Sequence, residues 1–253
     1  MHPARLGQER LHDGAQVNLR LPGGMLDTRT AAAVAAAAHE LTEDRAVRVV
    51  VVTSHGPDFC TGPDPGLDRV ALGDDPAAAI ARIRVPVIAA VRGACRSVGL
   101  ELVLACDVVL ATASATFALD DVATGRGLPC WGGTQRLARA VGTARATAMV
   151  LCGDALAAPA AEAAGLVWSL TADDPDDPDG LDAQAMALAD KLRGLGPLAL
   201  EFAKEAVHRG AELPLRDGLR LEGDLNTLLA TSSDRAEGLA AFFAKRPADF
   251  AGR

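Results

Sequence analysis

Residues 92–137 read RGACRSVGLELVLACDVVLATASATFALDDVATGRGLPCWGGTQRL, and the succession of elements in this stretch decides the fold. Gly93 to Leu104 predicts a loop turning into a helix that carries Val98-Gly-Leu-Glu-Leu-Val-Leu. Asp107 to Ala111 is apolar and β-branched, which predicts a buried strand. Thr116-Phe-Ala-Leu predicts a second, shorter strand that ends at the paired acids Asp120-Asp121 and a glycine-rich loop. Gly132-Gly133-Thr134 then opens another helix, with Thr134 in a position to cap it.

The same alternation continues on the N-terminal side. Val87 to Val91, entered through Pro86, and Val47 to Thr53 (VRVVVVT) are nearly unbroken apolar runs, as expected of strands covered on both faces. Between them lie a Gly/Pro-rich loop, His55 to Asp68, and a helical segment near Pro76 to Arg84. Before them the Ala-rich stretch Thr28 to Asp44 predicts a helix capped by Asp27 or Thr28. Strand–loop–helix alternation of this kind predicts a largely parallel sheet with right-handed crossovers. Beyond Gly132 the pattern becomes mostly helical (Thr134 to Val141, Thr143 to Leu151, Pro159 to Gly165), with an Asp/Pro-rich link over Ala172 to Gly180. The expected organisation is an α/β core over residues 1–190 and a helical region over residues 191–253 whose apolar faces suit packing on another subunit.

Composition narrows the chemistry. The 253 residues carry 25 basic and 33 acidic side chains, and a net charge of -8 disfavours nucleic acid or an anionic membrane surface as partner. The absence of tyrosine excludes a phenol as acid or base, and two tryptophans with six phenylalanines are too few for a base-stacking surface. No apolar run approaches the roughly 20 residues that span a bilayer, and the polar segment from Met1 to Gln16 lacks the apolar core of a signal peptide. The five cysteines (60, 95, 106, 130 and 152) form no C-x-x-C pair or even framework, and read as small buried thiols of a cytoplasmic protein.

Few residues are left to carry chemistry. Glu101 interrupts an apolar helix start, where a buried carboxylate would have the raised pKa of a general acid or base. The other reading is a solvated face or a capping box with the residues near Ser97. Asp120-Asp121 fits either a functional pair or an ordinary turn. Gly125, Gly127, Gly132 and Gly133 allow close approach to a ligand and equally fit a plain connector. No G-x-G-x-x-G, Walker or nucleophile-elbow pattern occurs, no His/Cys/Asp grouping has metal-ligand spacing, and His39, His55 and His208 are isolated.

Gly93 to Asp107, Ala115 to Asp121 and Gly132 to Gly142 together resemble the crotonase superfamily, the enoyl-CoA hydratases and isomerases. Phe59-Cys-Thr-Gly-Pro-Asp, Ala161-Glu-Ala-Ala-Gly-Leu-Val and the segment from Ser233 to Pro247 extend the resemblance over nearly the whole chain, in the expected order. It implies a spiral of ββα units with a helical C-terminal trimerisation region, assembled as a homotrimer or hexamer. The substrate it implies is an acyl-CoA thioester, with no cofactor required. The implied chemistry is stabilisation of a thioester enolate by two backbone N–H groups while carboxylates move protons.

By position, Glu101 matches the hydratase glutamate that activates water, and Asp121 matches the group that delivers a proton to the α-carbon. The resemblance places oxyanion donors at Val98 and at Pro63, and CoA contacts at Phe242, Phe243 and Lys245, with Arg20 or Arg29 as a substitute phosphate contact. Three departures stand out. Asp121 replaces a glutamate and so reaches about 1.5 Å less, with Asp120 beside it as a repelling charge. Val98 stands where a glycine is usual. Pro63 has no N–H at all, which leaves Asp64 or Gly62 to donate from a shifted loop, or a hole with one donor. The expected activity is addition of water to a 2-enoyl thioester. The alternatives are another crotonase-type reaction (isomerase, decarboxylase, or an enzyme acting on a carrier-protein thioester) and a weakly catalytic acyl-CoA-binding homologue. Pocket walls are expected from residues 67–83 and around Trp131.

Overall fold

The computed structural model describes residues 6–69, 75–173 and 180–253. β1 (Gly7–Leu11) turns antiparallel into β2 (Gln16–Leu21), and from there a strand–strand–helix unit recurs. The units are β2, β3 (Met25–Leu26) and α1 (Thr28–Glu43), then β4 (Val49–Ser54), β5 (Gly62–Pro63) and α2 (Pro76–Ala81). They continue with β6 (Val87–Val91), β7 (Ala94–Arg96) and α3 (Val98–Val103), then β8 (Val108–Thr112), β9 (Thr116–Ala118) and α4 (Gly133–Val141). The chain closes with α5 (Thr143–Cys152), β10 (Leu156–Ala157), α6 (Ala158–Ala163), β11 (Ser169–Thr171) and the helices α7 (Gly180–Arg193), α8 (Pro197–Gly210), α9 (Leu215–Ala230) and α10 (Ser233–Ala244).

The first strand of each unit enters a six-stranded sheet of order β1-β2-β4-β6-β8-β11, parallel from β2 onward. The second strand enters one of two small sheets, β3-β5 and β7-β9-β10, which a single bridge between Cys60 and Cys95 connects. This is the expected spiral of ββα units. Alternation along the strands decides what each face meets. Val50, Val52, Val87, Ala89 and Val91 pack into the core with α1, α2 and α3, whereas Val49, Val51, Ile88, Ala90 and Leu110 pack against Leu181, Ala185 and Ala189 of α7. The sheet is therefore covered on both sides, as its valine runs predict.

Several local expectations change. Asp27, not Thr28, caps α1, its Oδ1 accepting from Thr30 N–H at 2.7 Å. Thr134 caps nothing: α4 begins at Gly133 behind Gly132, which lies in the left-handed region, and no side chain caps that end. Cys130 and Cys152 are exposed rather than buried, although all five cysteines are free thiols. β2 was illegible because it carries Gln16 and Asn18 in a buried run. Gln16 Nε2 donates to Asn18 Oδ1 at 3.1 Å and meets Met186 Sδ of α7 at 3.0 Å, so its amide N–H groups are engaged inside the apolar layer, while Gln16 Oε1 stays buried without a hydrogen-bond partner. Part of the link expected over residues 172–180 lies outside the described residues.

The last three helices sit differently. α8 buries no residue fully and is fastened by polar contacts: Lys204 Nζ and His208 Nε2 lie 2.7 and 2.8 Å from the two oxygens of Asp107. Arg84 Nη1 adds a bond to Glu201 at 3.2 Å. α9 and α10 leave Leu215, Leu219, Leu228, Leu239, Phe242 and Phe243 exposed.

Candidate active site

Two turns of the spiral bring Glu101 and Asp121 together. Glu101 lies in the first turn of α3, directly after β7, and Asp121 follows β9, the parallel neighbour of β7. Both are fully buried. The capping-box reading of Glu101 fails, because Ser97 makes no side-chain cap bond to α3 and its hydroxyl turns to Asp121 instead, at 2.6 Å from Oδ1.

The two carboxylates are held by different means. Glu101 Oε1 accepts from the backbone N–H of Trp131 at 2.7 Å and of Gly133 at 2.9 Å. Gly133 is required there, because a Cβ would stand 2.9 Å from Glu101 Cγ. Burial pushes the Glu101 carboxyl up to about 7, against the pull of the Gly133 and Trp131 N–H groups; the neighbouring Asp121 raises it further and Arg69 lowers it. Asp121 Oδ1 accepts from Ser97 and from Arg69 Nη1, the latter at 2.8 Å, with Arg126 Nε at 3.8 Å. Glu101 Oε2 and Asp121 Oδ2 are buried without a hydrogen-bond partner, and Arg69 Nη1 lies 3.9 Å from the former. An orphaned acceptor on each of two neighbouring acids is a place for a donor from outside the protein.

Asp120 belongs to a separate arrangement. Its two oxygens face Arg126 Nη2 at 2.7 Å and Arg96 Nη1 at 3.0 Å, so its charge is taken up by arginines rather than set against Asp121. It serves the turn after β9, where its carbonyl accepts from Thr124. The sequence presents the two acids as a pair, and the fold divides them between turn and site.

The proposed oxyanion positions lie at the start of α3 and on β5. Val98 is the first residue of α3, whose opening N–H groups have no intrahelical acceptor. Close packing of this segment against Cys60 requires Gly99, where a Cβ would fall 2.4 Å from Cys60 Cβ. Pro63 ends β5 and offers no donor. Asp64 does not replace it, because its N–H donates to the Leu26 carbonyl at 2.8 Å. Ser97 adopts φ 50° and ψ -120°, a strained conformation for a residue with a side chain.

The residues expected to contact CoA are not part of this network. Phe242 and Phe243 are exposed on α10 with their rings edge to face at 5.7 Å, and Lys245 caps that helix in the left-handed region. Arg20 is half-buried on β2 opposite Gly7. Trp131 is buried and its N–H donates to Glu101, and of the expected wall segment residues 70–74 lie outside the described residues. Arg69 is a site residue that sequence reasoning missed; its one signal was an arginine inside that expected wall. Among the described residues no group of three or more His, Cys, Asp and Glu could hold a metal ion, and no helix is long and apolar enough to cross a membrane.

The ββα spiral thus sets two buried acids beside the start of α3. The profile described as enoyl-CoA hydratase/isomerase matches residues 15–253. The chain is 40% identical over 221 residues to the 2,3-dehydroadipyl-CoA hydratase of Escherichia coli (strain K12), covering 83% of each chain. It is 34% identical to the mitochondrial methylglutaconyl-CoA hydratase of Rattus norvegicus, over 84% of this chain and 70% of that one. The crystal structure of enoyl-CoA hydratase from Bacillus anthracis superposes with a TM-score of 0.88 at 28% identity, covering 99% of this chain and all of that one. The protein belongs to the enoyl-CoA hydratase/isomerase family. It is an enoyl-CoA hydratase-like enzyme.

Proposed function

We propose that Glu101 and Asp121 hold one water between them and add it across the double bond of a 2-enoyl-CoA, with Glu101 activating the water and Asp121 carrying the proton to the α-carbon. The observation that carries this reading is the pair of orphaned oxygens, Glu101 Oε2 and Asp121 Oδ2, each buried without a hydrogen-bond partner. The Val98 N–H supplies the enolate donor at the start of α3. Hydration is redox-neutral, so the reaction calls for no electron-carrying cofactor. The name of the Escherichia coli relative fits an acyl chain that itself bears a carboxylate.

Pro63 favours a second reading of the rate. With no N–H at 63 and the Asp64 N–H bound to Leu26, neither of these two residues donates to the enolate, and Val98 on α3 carries the donor role. Loss of a donor costs about 10²–10³ in rate, which makes this a slow hydratase. Phe242, Phe243, Lys245 and Arg20 are proposed as CoA contacts, completed from a neighbouring subunit in a trimer or hexamer, since the exposed leucines of α9 and α10 form an apolar surface. Sedimentation of the purified chain tests the assembly, which a monomer would refute. The cytoplasm is the compartment that suits five free thiols.

The reaction is tested with crotonyl-CoA, followed by loss of enone absorbance. Glu101→Gln and Asp121→Asn should each lower kcat by about 10²–10⁴, the usual contribution of a general acid or base. Activity that survives Glu101→Gln but not Asp121→Asn would identify an isomerase instead.

A further inference from the structure

One arginine joins the two carboxylates. Arg69 follows β5 in the chain, and its side chain is only 10% exposed. Nη1 donates to Asp121 Oδ1 at 2.8 Å and lies 3.9 Å from Glu101 Oε2. Nη2 is turned the other way, toward the carbonyls of Arg126 at 3.1 Å and Leu128 at 3.5 Å. The backbone of the same residue is also engaged, its carbonyl accepting from Trp131 Nε1 at 3.5 Å. Trp131 is in turn one of the two N–H donors to Glu101. Arg69 thus reaches Asp121 through its side chain and the Glu101 anchor through its main chain.

Such a guanidinium is pinned from both ends. Its planar fork is committed to protein acceptors on the Asp121 loop, which leaves it poorly placed to follow a substrate that comes and goes. Its position does answer a local shortage. An aspartate at 121 reaches about 1.5 Å less than a glutamate, and a short carboxylate has few ways to hold one oxygen toward a reacting atom unless the other is clamped. The Ser97 hydroxyl and Arg69 Nη1 both bind Oδ1, and Oδ2 alone stays without a partner.

We propose that Arg69 is a positioning residue for this enzyme: with Ser97 it clamps Oδ1 of Asp121, so that the short carboxylate presents Oδ2 to the substrate. The role runs through Asp121 and rests on the hydratase reading given above. Arg69 makes no contact with the acyl chain in this arrangement, and its removal leaves substrate affinity nearly intact.

The test is steady-state hydration of crotonyl-CoA by the full chain, for Arg69→Gln and Arg69→Lys, each alone and combined with Asp121→Glu. Unfolding temperatures are recorded for every variant. Arg69→Gln should lower kcat by about 10²-fold while KM moves less than about threefold. Arg69→Lys, which still offers one charged donor, should recover about a tenth or more of the wild-type kcat. In the Asp121→Glu background, where the longer side chain needs no clamp, the Arg69→Gln loss should shrink to less than about tenfold.

An unchanged kcat in Arg69→Gln overturns the proposal. So does a raised KM alone, which would make Arg69 a substrate contact, or an equal loss in both backgrounds, which would make it independent of Asp121. If Arg69→Gln does not fold, the same comparison is read from Arg69→Lys with and without Asp121→Glu. A wild type inert toward every enoyl-CoA removes the hydratase reading and this role together, whereas an active wild type with an unaffected Arg69→Gln removes the role alone.

Discussion

Glu101 and Asp121 occupy neighbouring turns of one spiral, yet the first is held by main chain and the second by side chains. The donors to Glu101, the N–H groups of Trp131 and Gly133, belong to the start of α4 and survive every substitution except proline. The donors to Asp121 are a serine hydroxyl and a guanidinium, each replaceable on its own. The position of Glu101 is therefore inherited from the fold, whereas that of Asp121 is adjustable residue by residue. In this chain the Asp121 half of the site can therefore be varied one side chain at a time without touching the backbone that holds Glu101.

The widest separation between the two halves should appear on titration. The Glu101 carboxyl lies at about 7 in the folded chain against an ordinary 4.5, so the fold binds this proton more tightly than the unfolded chain does. The stability this contributes is fully present below about pH 4.5 and is lost as the pH rises through about 7. The difference is about 3 kcal/mol. Urea unfolding of the wild type and of Glu101→Gln, at acidic and mildly alkaline pH, should show the wild type losing that amount relative to the variant; parallel curves would refute it. The same titration should make kcat/KM rise through about pH 7, as the ionised form activates water. A fall over that range would assign Glu101 the acid role.

A smaller effect tests the backbone cradle itself. Gly133→Ala places a Cβ against Glu101 Cγ and should destabilise the chain by about 1–3 kcal/mol, with a fall in kcat of about 10-fold or more. An unperturbed Gly133→Ala would show that the α4 start does not confine Glu101.

The smallest effect separates strain from bonding on the Asp121 side. Ser97→Ala and Ser97→Gly both remove the hydroxyl, but only glycine adopts the positive φ freely. Ser97→Gly should be more stable than Ser97→Ala by about 1 kcal/mol, with equally reduced kcat. Equal unfolding temperatures would show that the conformation at 97 is unstrained.

The same contrast explains what could be read before folding. Glu101 was visible because a charge inside Val98-Gly-Leu-Glu-Leu-Val-Leu breaks a local pattern, and local patterns are what a sequence displays. The central strands were visible for the same reason, as unbroken valine runs. Arg69 was not, because its importance arises from a loop returning to residues some fifty positions away. Ser97 hid a conformation that a glycine would have advertised. The separate tasks of Asp120 and Asp121 were set by arginines at 69, 96 and 126, none of which adjoins either acid in sequence.

Pro63 has a consequence for how this enzyme can change. In the parallel pairing of β5 with β3, the ladder bond beside it is made by Asp64, so the fold asks nothing of an amide at 63. A proline codon becomes an alanine codon by one base change, and that change would place an N–H at 63 without disturbing a strand. On the proposal that position 63 faces the thioester oxygen, rate and architecture are uncoupled there, and the speed of the reaction can change in a single mutational step that the folded structure does not oppose.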